Sequence, residues 1–465
     1  MQKAEDLSSP INFPMAPSSQ LNAQAGSGRK NPPGGWRFAL RALAHRNYRL
    51  FFGGQSISLV GTWMTRIATG WLVYRLTHSA LLLGIVGFAG QVPAFFLAPF
   101  AGVWVDRWDR HRTLVVTQIF SMLQSFALAV LALGRVINIH EIIWLSLAQG
   151  LINAFDMPAR QSFVVEMVER REDLGSAIAL NSSMVNAARL LGPSIAGLVI
   201  AISSEGYCFL VDGISYVAVL VSLLAMRITP TPRLAHSTAV LQDLREGWQY
   251  VTRFIPIRSV LLLLALSSLV AMPYSTLMPI FAGAILHGGP HTLGFLMGAS
   301  GLGALVSAAL LATRKSILGL GTVIPASAMI FGAGLVAFSF SRALWLSMLL
   351  LLLAGGGMMQ QMAASNTILQ TIVDDDKRGR VMSFYSMAFL GMTPFGSLLE
   401  GAAASRIGAP HALMIGGLIC IAGAAWFTLQ LPAIRSAVRP VYVRLGILPE
   451  AAVQTASTLL TPPED

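Results

Sequence analysis

Long apolar runs, separated by short polar segments, dominate the chain. Runs such as LLLLALSSLV (261–270) and LSMLLLLLAGGG (346–357) are continuous rather than alternating. A membrane β-barrel needs apolar and polar residues to alternate along every strand. Continuous runs predict helices instead, because backbone N–H and C=O groups in hydrocarbon have no water to bond and must pair within their own segment. A bilayer-crossing helix takes about 20 apolar residues. Twelve such stretches are read, at 50–74, 80–104, 113–134, 141–158, 176–201, 206–227, 259–286, 291–312, 319–340, 343–369, 380–404 and 410–432. The expected fold class is all-α integral membrane, with twelve transmembrane helices in two six-helix pseudo-repeated halves.

The segments outside these runs divide the chain. Residues 1–35, rich in Ser, Pro, Gly and Asn, read as a disordered N-terminal tail without the apolar core of a signal peptide. The first half is expected over 36–227, a cytoplasmic linker over 228–258, the second half over 259–432 and a cytoplasmic C-terminal tail over 433–465. Within the linker, Val240, Leu241, Leu244, Trp248, Val251 and Phe254 recur at helical spacing between charged residues. They predict an amphipathic helix, lying on the membrane surface or against the bundle.

Composition removes the soluble alternatives. Charged residues make up 11% of the 465 positions and mean hydropathy is +0.65, against about 25% charged in a soluble globular chain. A cytosolic enzyme, a secreted disulfide scaffold and a disordered protein are all excluded. The net charge of +11 is spread singly between apolar runs rather than gathered in one patch, so no nucleic-acid partner is expected. Its distribution gives topology instead. With the N-terminus inside, 26 of the 32 Lys and Arg fall in cytoplasmic segments and four outside; Arg66 and Arg189 lie within spans. This is the positive-inside bias, with both termini cytoplasmic. Helical spans with many arginines point to a bacterial inner (plasma) membrane.

The halves resemble each other weakly. LLLGIVGFAG from Leu81 and HTLGFLMGAS from His291 open spans two and eight and align Gly84 with Gly294. GPSIAG from Gly192 in span five matches TPFGSLLEG from Thr393 in span eleven, and each follows a charged loop. Six-plus-six duplication builds a transporter site at the midplane, between two halves that move against each other.

Between spans two and three stands GVWVDRWDRHR, Gly102 to Arg112. It resembles the Gly-x-x-x-Asp-Arg-x-Gly-Arg-Arg/Lys signature of the major facilitator superfamily, with Gly102, Asp106, Arg107, Arg110 and Arg112 in place. Asp109 replaces the second Gly, and His111 stands where a basic residue is usual. The stretches 39–84, DMPARQ (156–161) and NSSMVNAARLLGPSIAG (181–197) resemble one branch, the enterobactin-exporter-like transmembrane secretion effectors. The resemblance, over roughly 39–435, implies the facilitator fold. It also implies a gating role for Asp106, Arg107 and Arg110 through contacts with span eleven, against the bland reading of a solvated positive-inside loop. Asp156, near the cytoplasmic end of span four, is expected to bond the Arg107 loop and complete a gate cluster with Arg160. Gly192, Pro193 and Gly197 resemble the antiporter motif and favour export. The plain alternative is a Pro kink with small-residue packing.

Ionisable residues inside spans are costly and functional by default. Arg66, Arg189 and Asp212 either line a path that binds an anionic group or carries a proton, or form internal ion pairs such as Arg66 with Asp212. Glu400, near the outer end of span eleven, either joins that path or reaches the outer interface. Gln55, Trp63, Gln91, Gln149, Asn153, Tyr274, Gln360, Gln361 and Asn366 are further cavity candidates, although most such residues are lipid-facing or pack between helices. No GxxxxGK[ST] phosphate loop, metal-ligand spacing or nucleophile motif occurs, so neither an enzyme, a cofactor nor a metal site is expected. By resemblance the chain is a monomeric secondary exporter of a siderophore-like or drug-like molecule, working against proton entry. An importer or flippase of a nutrient or lipid-like solute, and a non-transporting membrane sensor or scaffold, are the alternatives. Reporter fusions in the 106–112 and 374–380 turns are expected to report the same side of the membrane; opposite sides would break the even-numbered topology.

Overall fold

A computed structural model describes residues 40–168, 170–227, 240–314 and 316–448, without the side chains of 98, 99, 102, 103, 106, 171 and 240–244. The expected N-terminal tail, the start of the linker and the end of the C-terminal tail lie outside the described residues. The described chain is almost wholly helical, and no strand occurs among the described residues. The first bundle comprises α1 (Arg46–Thr77), α2 (Ala80–Ala89), α3 (Val92–Arg107), α4 (Arg110–Leu133), α5 (Ile139–Met167), α6 (Leu174–Ile202) and α7 (Glu205–Leu224). Helix α8 (Val240–Arg253) leads to the second bundle. That bundle holds α9 (Ile255–Val270), α10 (Tyr274–Ile280), α11 (Pro290–Ala312), α12 (Leu320–Phe340), α13 (Leu344–Ile372), α14 (Arg378–Ser386), α15 (Met392–Ile407) and α16 (Ala409–Arg444).

Helical stretches coincide with all the runs read as spans. Nine of them, among the described residues, are long and apolar enough to cross a membrane by length and hydropathy. The stretches at α1, at α5 and over 378–407 carry more polar residues. Short side chains set the helix starts. Ser79 accepts from the Leu82 amide, and Asn138 with Glu141 forms a capping box.

Three expected continuous spans are broken. The second bends at Gly90–Gln91, just before Pro93. The seventh is interrupted at 271–273 and ends in a π-turn at Phe281–Ile285; the eleventh contains a π-turn at Met387–Gly391. Proline at 273 and 279 removes backbone donors, which accounts for the break in the seventh. The last helix runs on to Arg444, so the tail expected from 433 begins as helix. Buried Ile434 and Val438 hold that extension to the bundle despite Pro432 and Pro440.

The amphipathic linker helix packs against the second bundle. Gly247 meets the Phe384 ring, and a Cβ there would come within 2.9 Å of it. Trp248 lies 6.0 Å from that ring, Arg380 Nη1 is 3.0 Å from Glu246 Oε2, and Lys377 Nζ sits 4.8 Å above the Tyr250 ring. Burial, and then the nearby Asp374 carboxylate, raise the Tyr250 phenol above its ordinary pKa.

The bundles meet along two seams of glycine. In the first, a Cβ on Gly401 would lie 2.7 Å from the Ala80 carbonyl and 2.8 Å from Gly84 Cα, and one on Gly84 would lie 2.6 Å from the Ser397 carbonyl. In the second, a Cβ on Gly197 would lie 2.8 Å from the Pro290 carbonyl and 2.9 Å from Gly294 Cα, and one on Gly294 would lie 2.7 Å from the Pro193 carbonyl. The two sets of contacts correspond residue by residue. Gly84 and Gly294, aligned by the internal repeat, occupy equivalent places, as do Gly401 and Gly197. Both seams lie at the end of the bundles opposite the basic loops. Below the first, Phe95 and Phe88 pack on Phe395 at 5.2 and 5.8 Å.

Gly401→Val and Gly197→Val are each expected to destabilise the protein by about 1–3 kcal/mol through overpacking. Gly53→Val, where nothing lies within 4 Å, is expected to be near neutral. Thermal unfolding in detergent compares the three.

Candidate functional site

The 102–112 segment is a helix end, a tight turn and a helix start. Helix α3 ends at Arg107, and Asp109 caps α4 by accepting the Arg112 amide at 2.9 Å. Aspartate in place of the motif's second glycine therefore has a local reason: it satisfies an orphan donor of the helix it precedes. Arg110 Nη1 donates to Glu166 Oε1 at 2.8 Å, tying α4 to α5, and the His111 ring meets the Leu223 carbonyl at 2.9 Å. Arg107 and Arg112 are exposed. The side chain of Asp106 lies outside the described residues. Trp104, Trp108 and Phe155 stack at 6.1–6.3 Å, a grouping suited to a membrane–water interface.

Asp156 pairs with Arg160, as expected, but does not join the Arg107 loop. It is buried on α5, and its Oδ1 accepts from Thr117 Oγ1 at 2.9 Å and Gln118 Nε2 at 2.7 Å, both on α4. The physical reason is depth: Asp156 lies level with Thr117 and Gln118, about two helical turns into α4 from the loop. The acid that does bond the loop is Glu166, nearly three turns further along α5.

The antiporter-like motif forms part of the second seam. A Cβ on Gly192 would lie 2.4 Å from Trp63 Cβ, so this glycine seats α6 against α1. Pro193 presents its carbonyl to Gly294, and Gly197 meets Gly294 directly.

The intramembrane charges separate into three environments. Asp212 is buried within the first bundle. Thr65 Oγ1 and Ser125 Oγ each donate to its Oδ2 at 2.8 Å, and Oδ1 has no hydrogen-bond partner among the described residues. The ion pair with Arg66, one of the two alternatives, does not form, because α1 points Thr65 and Arg66 in different directions. Arg66 is exposed, with Cζ 5.1 Å from the Trp63 ring centroid. Arg189 Cζ lies 5.9 Å from the same ring, and its Nη2 donates to Met358 Sδ of the second bundle at 3.7 Å. Glu400 is buried rather than at an interface, and both its oxygens lack a hydrogen-bond partner among the described residues. It sits one turn beyond Gly396, whose face meets the Leu269 carbonyl and Pro273 of the broken helix.

Three ion pairs escape a reading by spans. Glu166 holds the loop. Buried Glu205 takes Arg75 bidentately, at 2.9 and 3.1 Å, and joins α1 to α7. Asp173 bonds His45 at 3.0 Å and lies 3.7 Å from Arg41. The available signal was an acid at or near each helix end, Glu205 opening α7 and Asp173 preceding α6. Every ion pair between described residues stays within one bundle or ties the linker helix to the second.

Paired helical bundles of membrane-crossing length, related by repeated seams and holding charges between them, define a multi-pass membrane transporter. The transmembrane secretion effector family model matches residues 38–454, and the chain belongs to this family within the major facilitator superfamily. It is 28% identical over 384 residues to the staphyloferrin A transporter of Staphylococcus aureus (strain NCTC 8325 / PS 47), covering 82% of this chain and 95% of that protein. It is 28% identical over 360 residues to the multidrug efflux pump Tap of Mycolicibacterium fortuitum, covering 75% and 87%. Among solved structures, a D-xylose-proton symporter superposes with a TM-score of 0.63 at 15% identity, covering 84% of this chain and 97% of that one. A bacterial homologue of the human lysosomal transporter Spinster, inward-facing and unoccupied, superposes at 0.62 with 12% identity, covering 87% and 99%. At these identities the superpositions show a shared fold.

Asp156→Ala is expected to cost about 3–5 kcal/mol, because it leaves the Arg160 guanidinium unpaired beside two unsatisfied donors. Thr117→Val is expected to cost about 1 kcal/mol, and Arg107→Ala, at an exposed side chain, close to nothing. Denaturant unfolding in micelles orders the three.

Proposed function

We propose that this transporter exports a small organic molecule from the cytoplasm across a bacterial inner membrane by alternating access, with proton entry as the drive. In this reading the chain crosses the membrane twelve times. Residues 36–227 and 259–432 form the halves, 228–258 links them, both termini are cytoplasmic and a monomer suffices. The observation that carries the proposal is the pair of matched glycine seams. They draw the two bundles together at one end, while the described ion pairs of the basic end stay within a bundle. A carrier that rocks about a central site needs such an arrangement: two rigid bodies, a contact able to close one mouth and a second mouth free to open.

The Gly192-Pro193-Gly197 motif in one seam supports export over import, through its resemblance to the antiporter motif. The relatives' names support a siderophore or a drug as the cargo class. Gly102, Asp106, Arg107, Arg110 and Arg112 form the gate in this reading. Asp156 and Arg160 act from beneath it, by fixing α5 against α4. Arg66, Arg189, Asp212 and Glu400 remain the candidates for the substrate and proton path.

Deleting the gene is expected to raise cellular accumulation of an exported dye or siderophore, and a proton ionophore to abolish the difference between deleted and intact cells. Equal accumulation in both strains for every compound tried would remove the export reading. A difference that survives the ionophore would remove the proton drive alone.

A further inference from the structure

The arginines around Trp63 carry a narrower reading of the cargo, which rests on the proposed export function. Helix α1 turns one face toward the second bundle: a Cβ on Gly70 would lie 3.5 Å from Pro279 Cγ of α10. Trp63 stands two turns earlier on the same face, and Arg66 lies between them, near the middle of a helix 32 residues long. An exposed arginine at that depth, on that face, opens onto the space between the bundles. Arg189 reaches the same indole from α6 and touches Met358 from across the gap, so both guanidiniums border one volume.

No carboxylate neutralises them among the described residues. Asp212 faces into the first bundle and is engaged by Thr65 and Ser125. Asp156 is held by Arg160, Thr117 and Gln118. Glu205 is taken by Arg75 at the far end of α1, and Glu400 is buried on α15. Two like charges beside one ring repel each other and lack a counter-charge. An indole face offsets part of this through its quadrupole and also offers a stacking surface. The guanidinium fork matches a carboxylate in two-point geometry, and a lysine would not reproduce it. A cation entering the same volume meets two positive charges.

We propose that Arg66 and Arg189, arranged on Trp63, bind the anionic group of the transported molecule, and that the cargo is a carboxylate-bearing organic anion rather than a lipophilic cation. Binding the anion supplies the missing counter-charge, and Met358 places the second bundle in contact with the occupied site.

The test uses the purified full-length transporter in detergent, with equilibrium dialysis of citrate, carboxyfluorescein and ethidium. At least one of the two carboxylates is expected to bind more tightly than ethidium. Arg66→Gln and Arg189→Gln are each expected to weaken that binding about tenfold or more. Arg66→Lys, which keeps the charge and guards against a folding defect, is expected to retain part of it. Ethidium affinity is expected to rise in the double Gln variant. Failure of both carboxylates to bind, a preference for ethidium in the parent protein, or carboxylate binding unchanged in the double variant would overturn the anion site. Everted membrane vesicles separate this from the underlying reading. A carboxylate that binds in an arginine-dependent way but is never accumulated overturns export and leaves the site standing. Accumulation of ethidium indifferent to both arginines keeps export and removes the site.

Discussion

Helices in lipid gain nothing from burying leucine against leucine, because the tails around them are equally apolar. What draws them together is close packing of backbone on backbone, and glycine permits the nearest approach. The contacts of Gly84 with Gly401 and of Gly197 with Gly294 are this interaction between the two bundles, and much else in the molecule is positioned by it. Helix α6 is brought against α11 by its glycines and against α1 by Gly192, which fixes Trp63 from behind. The two arginines on Trp63 are therefore placed by the absence of side chains elsewhere. Any residue larger than glycine in these seams changes how two whole bundles sit, not merely one contact.

Electrostatics adds a division of labour. Acids that pair with arginine or histidine lie near the ends of the rods: Glu205 at one end, and Glu166 and Asp173 toward the other. Each fastens neighbouring elements within the first bundle and stiffens it as a body. Toward the middle the pattern reverses. Asp212 is served by hydroxyl groups, and Arg66 and Arg189 share an indole. Charge without a matching charge is expensive in low dielectric, and it is retained where something else is to be bound or moved.

The sequence pattern carried most of the helical architecture. Continuous apolar runs separated by basic turns located every rod, and the weak repeat placed Gly84 and Gly294 in register before any distance was known. Hydropathy was blind to the breaks at 271–273 and at the π-turns, because they lie inside runs whose composition does not change. It was also blind to partners. Thr117 and Gln118 are unremarked polar residues of a span, yet they decide that Asp156 stays with α4 instead of the loop. The loop's own acid, Glu166, lies beyond the edge of the run that defines span four, where it reads as a solvated charge. Single charged residues inside the apolar runs, Arg66 and Asp212, were recognisable from chain position. Which way each pointed depended on the rotation of α1 and α7 against their neighbours, and that rotation is set by Gly61 and Gly54 touching α7.

Helix α16 is a single rod of 36 residues, about 54 Å long at 1.5 Å per residue. The hydrocarbon layer is about 30 Å thick, so several turns of this rod stand clear of it. Arg444, at its tip, is clasped by Asp374 at 2.9 Å, next to the linker helix. A rod held by lipid along its first part is a lever arm: a few degrees of tilt inside the bilayer become ångströms of sweep at the protruding tip. Whatever is fastened to that tip feels an amplified copy of the motion at the pivot.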